Sequence, residues 1–101
     1  MIESKFLTDP EGNPAGGVTW GPGIAIHWQP APLSKTGGRQ VGAFVEDLLT
    51  AVLERLRFYQ DGKLACPEND ETLRLVMLAL ESQVRRTADR VRRGVEGTHV
   101  V

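Results

Sequence analysis

The stretch AFVEDLLTAVLERLRFYQDGKLACPENDETLRLVMLALESQVRRTADRVRR, residues 43–93, decides the fold. In its first part Val45, Leu48, Leu49, Val52, Leu56 and Tyr59 recur at the i, i+3, i+4, i+7 spacing that lines one face of a helix. In its second part Leu73, Val76, Met77, Leu80, Val84 and Thr87 repeat the pattern. Between them Asp61-Gly62-Lys63-Leu64-Ala65-Cys66-Pro67 is too short for anything but a turn, so the helices become antiparallel neighbours, an αα-hairpin.

The ends of both helices are written in the same stretch. The first is expected from Gly42 or Ala43 to about Gln60, with Glu46 and Asp47 suiting the positive end of the helix dipole and Gly62 supplying permissive backbone beyond the C-terminus. Pro67 suits the first turn of the second helix, where its missing donor costs nothing. That helix is expected to run to Arg93 and stop at Gly94, followed by a tail without helical period. Further apolar residues, among them Phe44, Leu53, Phe58, Leu75 and Leu78, lie off the main stripes. Two helices alone cannot bury them, so both the N-terminal part and another copy of the chain are expected to help.

Upstream the period changes. Val18-Thr19-Trp20 and Ile24-Ala25-Ile26-His27-Trp28 are β-branched and aromatic, and Gly21-Pro22-Gly23 separates them as a hairpin turn would. Ile24, Ile26 and Trp28 share one strand face; Ala25, His27 and Gln29 share the other. Ile2–Leu7 reads as a further short strand, and Asp9-Pro10-Glu11-Gly12-Asn13-Pro14 as a loop. Pro30-Ala31-Pro32 ends the sheet, and Leu33 to Val41 reads as a loop in which Gly37 and Gly38 sit between Lys35 and Arg39. The fold class is therefore α+β: a small N-terminal antiparallel β-hairpin or sheet, then a two-helix antiparallel hairpin. The organisation expected is residues 1–41 as β region and loop and 42–101 as helical hairpin with tail, one compact domain overall.

Composition narrows the function. With 101 residues, 41% hydrophobic and 25% charged, this is an ordinary globular chain rather than a disordered one. A net charge of -1 does not favour general binding to nucleic acid or to an anionic membrane. No apolar run approaches the roughly 20 residues of a membrane-spanning helix. Met1-Ile2-Glu3-Ser4-Lys5 lacks the basic and apolar regions of a secretory signal, and the expected location is the cytoplasm. Two histidines and one cysteine in no repeated spacing give no metal site, and no serine sits in a Gly-x-Ser-x-Gly turn, so neither metal, cofactor nor catalytic residue is assigned.

Two clusters carry binding chemistry. Arg85, Arg86, Arg90, Arg92 and Arg93 crowd the end of the second helix. Glu81 stands four residues before Arg85 and Asp89 four before Arg93, the favourable order for ion pairs, whereas Arg86 and Arg90 face each other at i, i+4 with Asp89 as partial relief. Spacing leaves two readings of that pair: a solvated basic helix end complementing the dipole, or two guanidinium forks gripping an anion such as phosphate. At the inter-helix turn Phe58, Tyr59 and Asn69 combine aromatic rings with a carboxamide, a kit for stacking and reading a nucleobase. The same residues also serve as a core aromatic and a capping asparagine.

Several segments then resemble one bacteriophage family: Gly-Ala-Phe-Val-Glu-Asp at 42–47, Arg-Phe-Tyr-Gln at 57–60, Ala-Cys-Pro-Glu-Asn at 65–69, Arg-Arg-Thr-Ala-Asp-Arg at 85–90 and Arg-Gly-Val-Glu-Gly-Thr-His at 93–99. Gly17-Val18-Thr19-Trp20-Gly21-Pro22-Gly23 and Trp28-Gln29 extend the likeness upstream. Together they resemble the Thoeris anti-defence 1 family of signal sponges, whose helical hairpin is shared with anti-CBASS sponges. Pro67 departs from the arginine expected there, and the loop at 33–41 is shorter, which weakens a role for Arg39.

The resemblance implies a protein that sequesters cyclic nucleotide-like immune messengers without cleaving them. The messengers implied are cyclic ADP-ribose isomers and, in some members, cyclic di- or trinucleotides; the partner implied is the chain itself, as a homo-oligomer, often a hexamer. It makes Tyr59 and Asn69 base-contacting candidates and Arg86 and Arg90 pyrophosphate-binding candidates, with Phe58, Thr98 and His99 as further ligand contacts. The expected function is thus a messenger sponge in the host cytoplasm; the alternatives are a non-catalytic oligomerising helical-hairpin module and an enzyme acting on a nucleotide. Asn69 and Arg86 would lie about 25 Å apart on one helix at about 1.5 Å per residue, so one ligand is expected to meet them only on different subunits.

Overall fold

The computed structural model of the protein describes residues 1–101. The element order is β1 (Glu3–Thr8), β2 (Pro14–Gly21), β3 (Ile24–Trp28), a 3-10 turn (Leu33–Lys35), α1 (Val45–Gln60) and α2 (Pro67–Arg92). These form two compact units. One joins Met1–Phe44 to Arg93–Val101, and the other is Val45–Arg92.

The first unit is built on a three-stranded antiparallel sheet in the order β1-β2-β3. Its first turn is closed by Asp9, whose carboxylate accepts the backbone N–H groups of Glu11 and Asn13 at 2.9 Å each and the Asn13 amide at 3.1 Å. The register sets Thr19 opposite both Ser4 and Ile26, and Gly17 opposite Phe6 and Trp28. The face predicted for Ile24, Ile26 and Trp28 is therefore shared with Thr19, a buried hydroxyl that meets Ser4 Oγ at 2.8 Å and receives the Trp28 indole N–H at 2.8 Å. Gly17 is required by close packing: at φ 139° a Cβ there would stand 2.3 Å from the Lys5 carbonyl oxygen.

Beyond Trp28 the chain doubles back along β3. Ala43 donates to His27 O at 2.7 Å and accepts from Gln29 N at 3.0 Å, a parallel bridge at the sheet edge. The Gln29 side chain fastens this return, its oxygen accepting from Val41 N (2.9 Å) and Gly42 N (2.8 Å). Helix α1 accordingly begins at Val45, not at Gly42 or Ala43, because those two residues are spent on the sheet edge. The Gly37–Gly38 pair serves as a turn: both have positive φ, and Gly38 N donates to Leu33 O at 2.8 Å. The tail belongs to this unit too, since Ser34 N donates to Gly97 O at 3.1 Å.

In the second unit α1 and α2 pack together across the turn at 61–66. Besides Glu46, Leu48, Tyr59, Asp89 and Arg90, the helix residues that are not exposed are Leu49, Leu53, Leu56 and Gln60 on α1, and Asn69, Leu73, Val76, Leu80 and Gln83 on α2. These alternate in steps of three and four, the narrow seam of a coiled coil. Leu53, off the expected stripe, is the one buried apolar residue, at 4% exposure, while Val45, Val52, Met77 and Val84 of the expected stripes are exposed. The apolar arc is wider than one partner helix can cover, and periodicity does not tell which edge of it turns inward. Helix α2 ends at Arg92, one residue before the expected end, and Gly94 follows at φ 72° as the permissive position.

Candidate ligand-binding site

At the turn of the hairpin the last residues of α1 and the first of α2 are clasped by one side chain. Gln60 accepts the Cys66 N–H at 3.0 Å and donates to Cys66 O at 3.0 Å and to Asp70 Oδ1 at 2.7 Å. Asn69 contributes a second clasp, its Nδ2 donating to Leu64 O at 3.2 Å. That bond uses one donor hydrogen of the carboxamide and leaves its oxygen for another group. The structural and ligand-reading uses of Asn69 are therefore compatible.

Phe58 and Tyr59 lie side by side near this turn, ring centres 6.1 Å apart and planes inclined by 55°. Phe58 is 64% exposed. The guanidinium carbon of Arg55 stands 5.1 Å from the Phe58 ring centre and 4.7 Å from that of Tyr59. Sequence reasoning passed over Arg55. The signal lay in its spacing, with two aromatics at i+3 and i+4.

The basic end of α2 resolves into unlike arginines. Arg86 is exposed and makes neither hydrogen bond nor ion pair, whereas Arg90 is buried at 6% exposure and already partnered. The ion pair expected between Glu81 and Arg85 does not form; both side chains instead border a groove of about 410 Å³ lined by Leu53, Arg57, Met77, Leu80 and Val84. Asp89 is paired with Arg92. Within one hairpin Asn69 and Arg86 thus stand about 25 Å apart along α2 at about 1.5 Å per residue.

Thr98 and His99 belong to the other unit. Thr98 shapes the tail, its hydroxyl donating to Val95 O and accepting from Val100 N at 3.2 Å. His99 is exposed and near enough to Asp9 to act on its charge. No group of three or more His, Cys, Asp or Glu side chains is arranged to hold a metal ion, and no helix is long and apolar enough to cross a membrane.

No family model matches the chain. Over 74 residues it is 36% identical to Thoeris anti-defense 1 of Bacillus phage SBSphiJ7, a match that takes in 73% of this chain and 51% of that protein. The chain belongs to the Thoeris anti-defence 1 family. It spans about half the length of the curated relative it matches.

Proposed function

We propose that this protein is an anti-defence sponge that binds cyclic nucleotide-like immune messengers in the host cytoplasm and holds them uncleaved, blocking Thoeris signalling and, through cyclic di- or trinucleotides, CBASS signalling. Family membership carries the reading. The chemistry of the hairpin supports it: an exposed Phe58 ring and a half-buried Tyr59 ring for a base, a carboxamide oxygen at Asn69, and an unpartnered guanidinium at Arg86 for a pyrophosphate. Capture without cleavage asks only for such contacts, with no nucleophile or general base.

The site is composed across subunits. Cyclic ADP-ribose isomers are too compact to reach from Asn69 to Arg86 of one helix, about 25 Å away at about 1.5 Å per residue. An antiparallel neighbour brings its own Arg86 and Arg90 beside the turn of the first chain, and Phe58, Tyr59 and Asn69 meet them there. Homo-oligomers, hexamers among them, follow from the same reasoning. Val45, Val52, Leu75, Leu78 and Val84 are exposed, and a neighbouring copy would cover them. Those exposed residues also favour the second reading, an oligomerising helical-hairpin module that binds no messenger.

The two readings part on one experiment. Purified protein is incubated with the ribose-linked cyclic ADP-ribose isomer, washed, heat-denatured, and its supernatant analysed by mass spectrometry. Intact messenger in proportion to protein is the expected result. Cleaved product would replace the sponge by an enzyme, and no retained messenger would leave the interaction module.

A further inference from the structure

The geometry points to Arg55 as a phosphate-gripping residue that stands beside the stacking aromatics on the same chain. The inference rests on the sponge reading and deepens it.

Among the arginines of the two helices, Arg57, Arg74, Arg85, Arg86 and Arg92 each have a carboxylate three or four positions away, in Glu54 and Asp61, Glu71, Glu81, Asp89 and Asp89 respectively. Arg55 and Arg90 do not. The neighbours of Arg55 at those spacings are Ala51, Val52, Phe58 and Tyr59. Arg90 is buried and engaged, whereas Arg55 is exposed and makes no hydrogen bond or ion pair.

Its guanidinium is nevertheless held. At 5.1 and 4.7 Å from two ring centres it lies within the roughly 6 Å over which a cation is attracted to an aromatic face. Proximity to the rings supplies no oxygen acceptor for its N–H donors, which remain in the planar fork that matches a phosphate. An arginine whose position is fixed by packing and whose donors are unspent loses little freedom when an anion docks. The exposed Phe58 ring beside it offers a surface for the base. One turn of one chain thus presents base-stacking and phosphate-gripping groups together, the recognition needs of a nucleoside phosphate. In an assembled site the messenger's pyrophosphate would be held from two sides, by Arg55 of the chain whose aromatics take the base and by Arg86 of its neighbour.

The test is calorimetric titration of the assembled protein with the ribose-linked cyclic ADP-ribose isomer at several salt concentrations. Arg55→Met keeps the stem over the rings and removes the fork; it should weaken binding at least tenfold and flatten the dependence of affinity on salt. Arg57→Met, two positions round the helix, should stay within twofold. If Arg55→Met fails to fold, judged by helical circular dichroism and thermal midpoint, Arg55→Gln takes its place with the same expectation. A folded Arg55→Met or Arg55→Gln protein that binds within twofold of native, while Arg86→Ala loses binding, overturns the role of Arg55 and leaves the sponge standing. Absence of binding by the native protein overturns the sponge itself and Arg55's role with it.

Discussion

The indole N–H of Trp28 donates a 2.8 Å hydrogen bond to the hydroxyl of Thr19 on the neighbouring strand. Thr19 in turn meets Ser4 on β1 at 2.8 Å, so one buried hydroxyl ties all three strands of the sheet. Replacing it by an isosteric methyl leaves the indole N–H and the serine hydroxyl facing carbon. Thr19→Val should lower stability by about 1–3 kcal/mol, the cost of leaving such groups unpaired. Chemical denaturation followed by tryptophan fluorescence reads it; an unchanged midpoint would mean that water replaces the lost partner.

The turn at Asp9 makes a prediction in pH. The Asn13 backbone N–H, foremost among the groups around Asp9, favours its charged form, helped by the Asn13 side chain, the Glu11 N–H and the charge of His99. The carboxyl is held below its ordinary value of 3.8. A lowered folded-state value means stability present in full above the unfolded value and lost as pH falls through the folded one. The difference in denaturation midpoint between native protein and Asp9→Ala should therefore be constant from about pH 7 down to about 5 and shrink below about 4. A difference that persists at pH 2 would assign the effect to packing rather than charge.

The division of the site between chains is testable by mixing. Asn69→Ala and Arg86→Ala homo-oligomers should each bind messenger poorly, since a charge-assisted contact such as that of Arg86 contributes about 1.5–3 kcal/mol. Co-refolded, they should regain a fraction of intact sites, each assembled from the unmutated end of either chain. Calorimetry gives the stoichiometry, and mass spectrometry of the intact assembly verifies that mixed oligomers form. Mixed oligomers without regained sites would place both groups on one chain's site.

Some of this was legible in the chain before its structure. The helical hairpin announces itself in two apolar periods separated by a turn, and the sheet in the alternation of residues 18–28. What could not be read was which residues a wide apolar arc turns inward, hence the exchange of Leu53 for Val52 at the seam. Ala43 looked like the first turn of a helix because its local propensity is helical; its partner, His27, is remote in sequence. The same holds at the candidate site. Residue type and spacing singled out Phe58, Tyr59, Asn69 and Arg86, but only geometry separated exposed Arg86 from buried Arg90. Arg55 went unnoticed because an arginine amid apolar neighbours reads as a solvated charge until its rings are seen beneath it.

The return of the chain to the sheet unit at Arg93 bears on the order in which the protein is made. The hairpin, Val45–Arg92, is an insertion within a unit whose two pieces are Met1–Phe44 and Arg93–Val101. On the ribosome the strands are synthesised first, yet the bond from Ser34 to Gly97 must wait until the helices have been translated. Folding therefore cannot proceed strictly from the N-terminus: the hairpin can close while the earlier unit is still incomplete. A premature stop just after Arg92 would spare both helices and strike a unit most of which was translated before them.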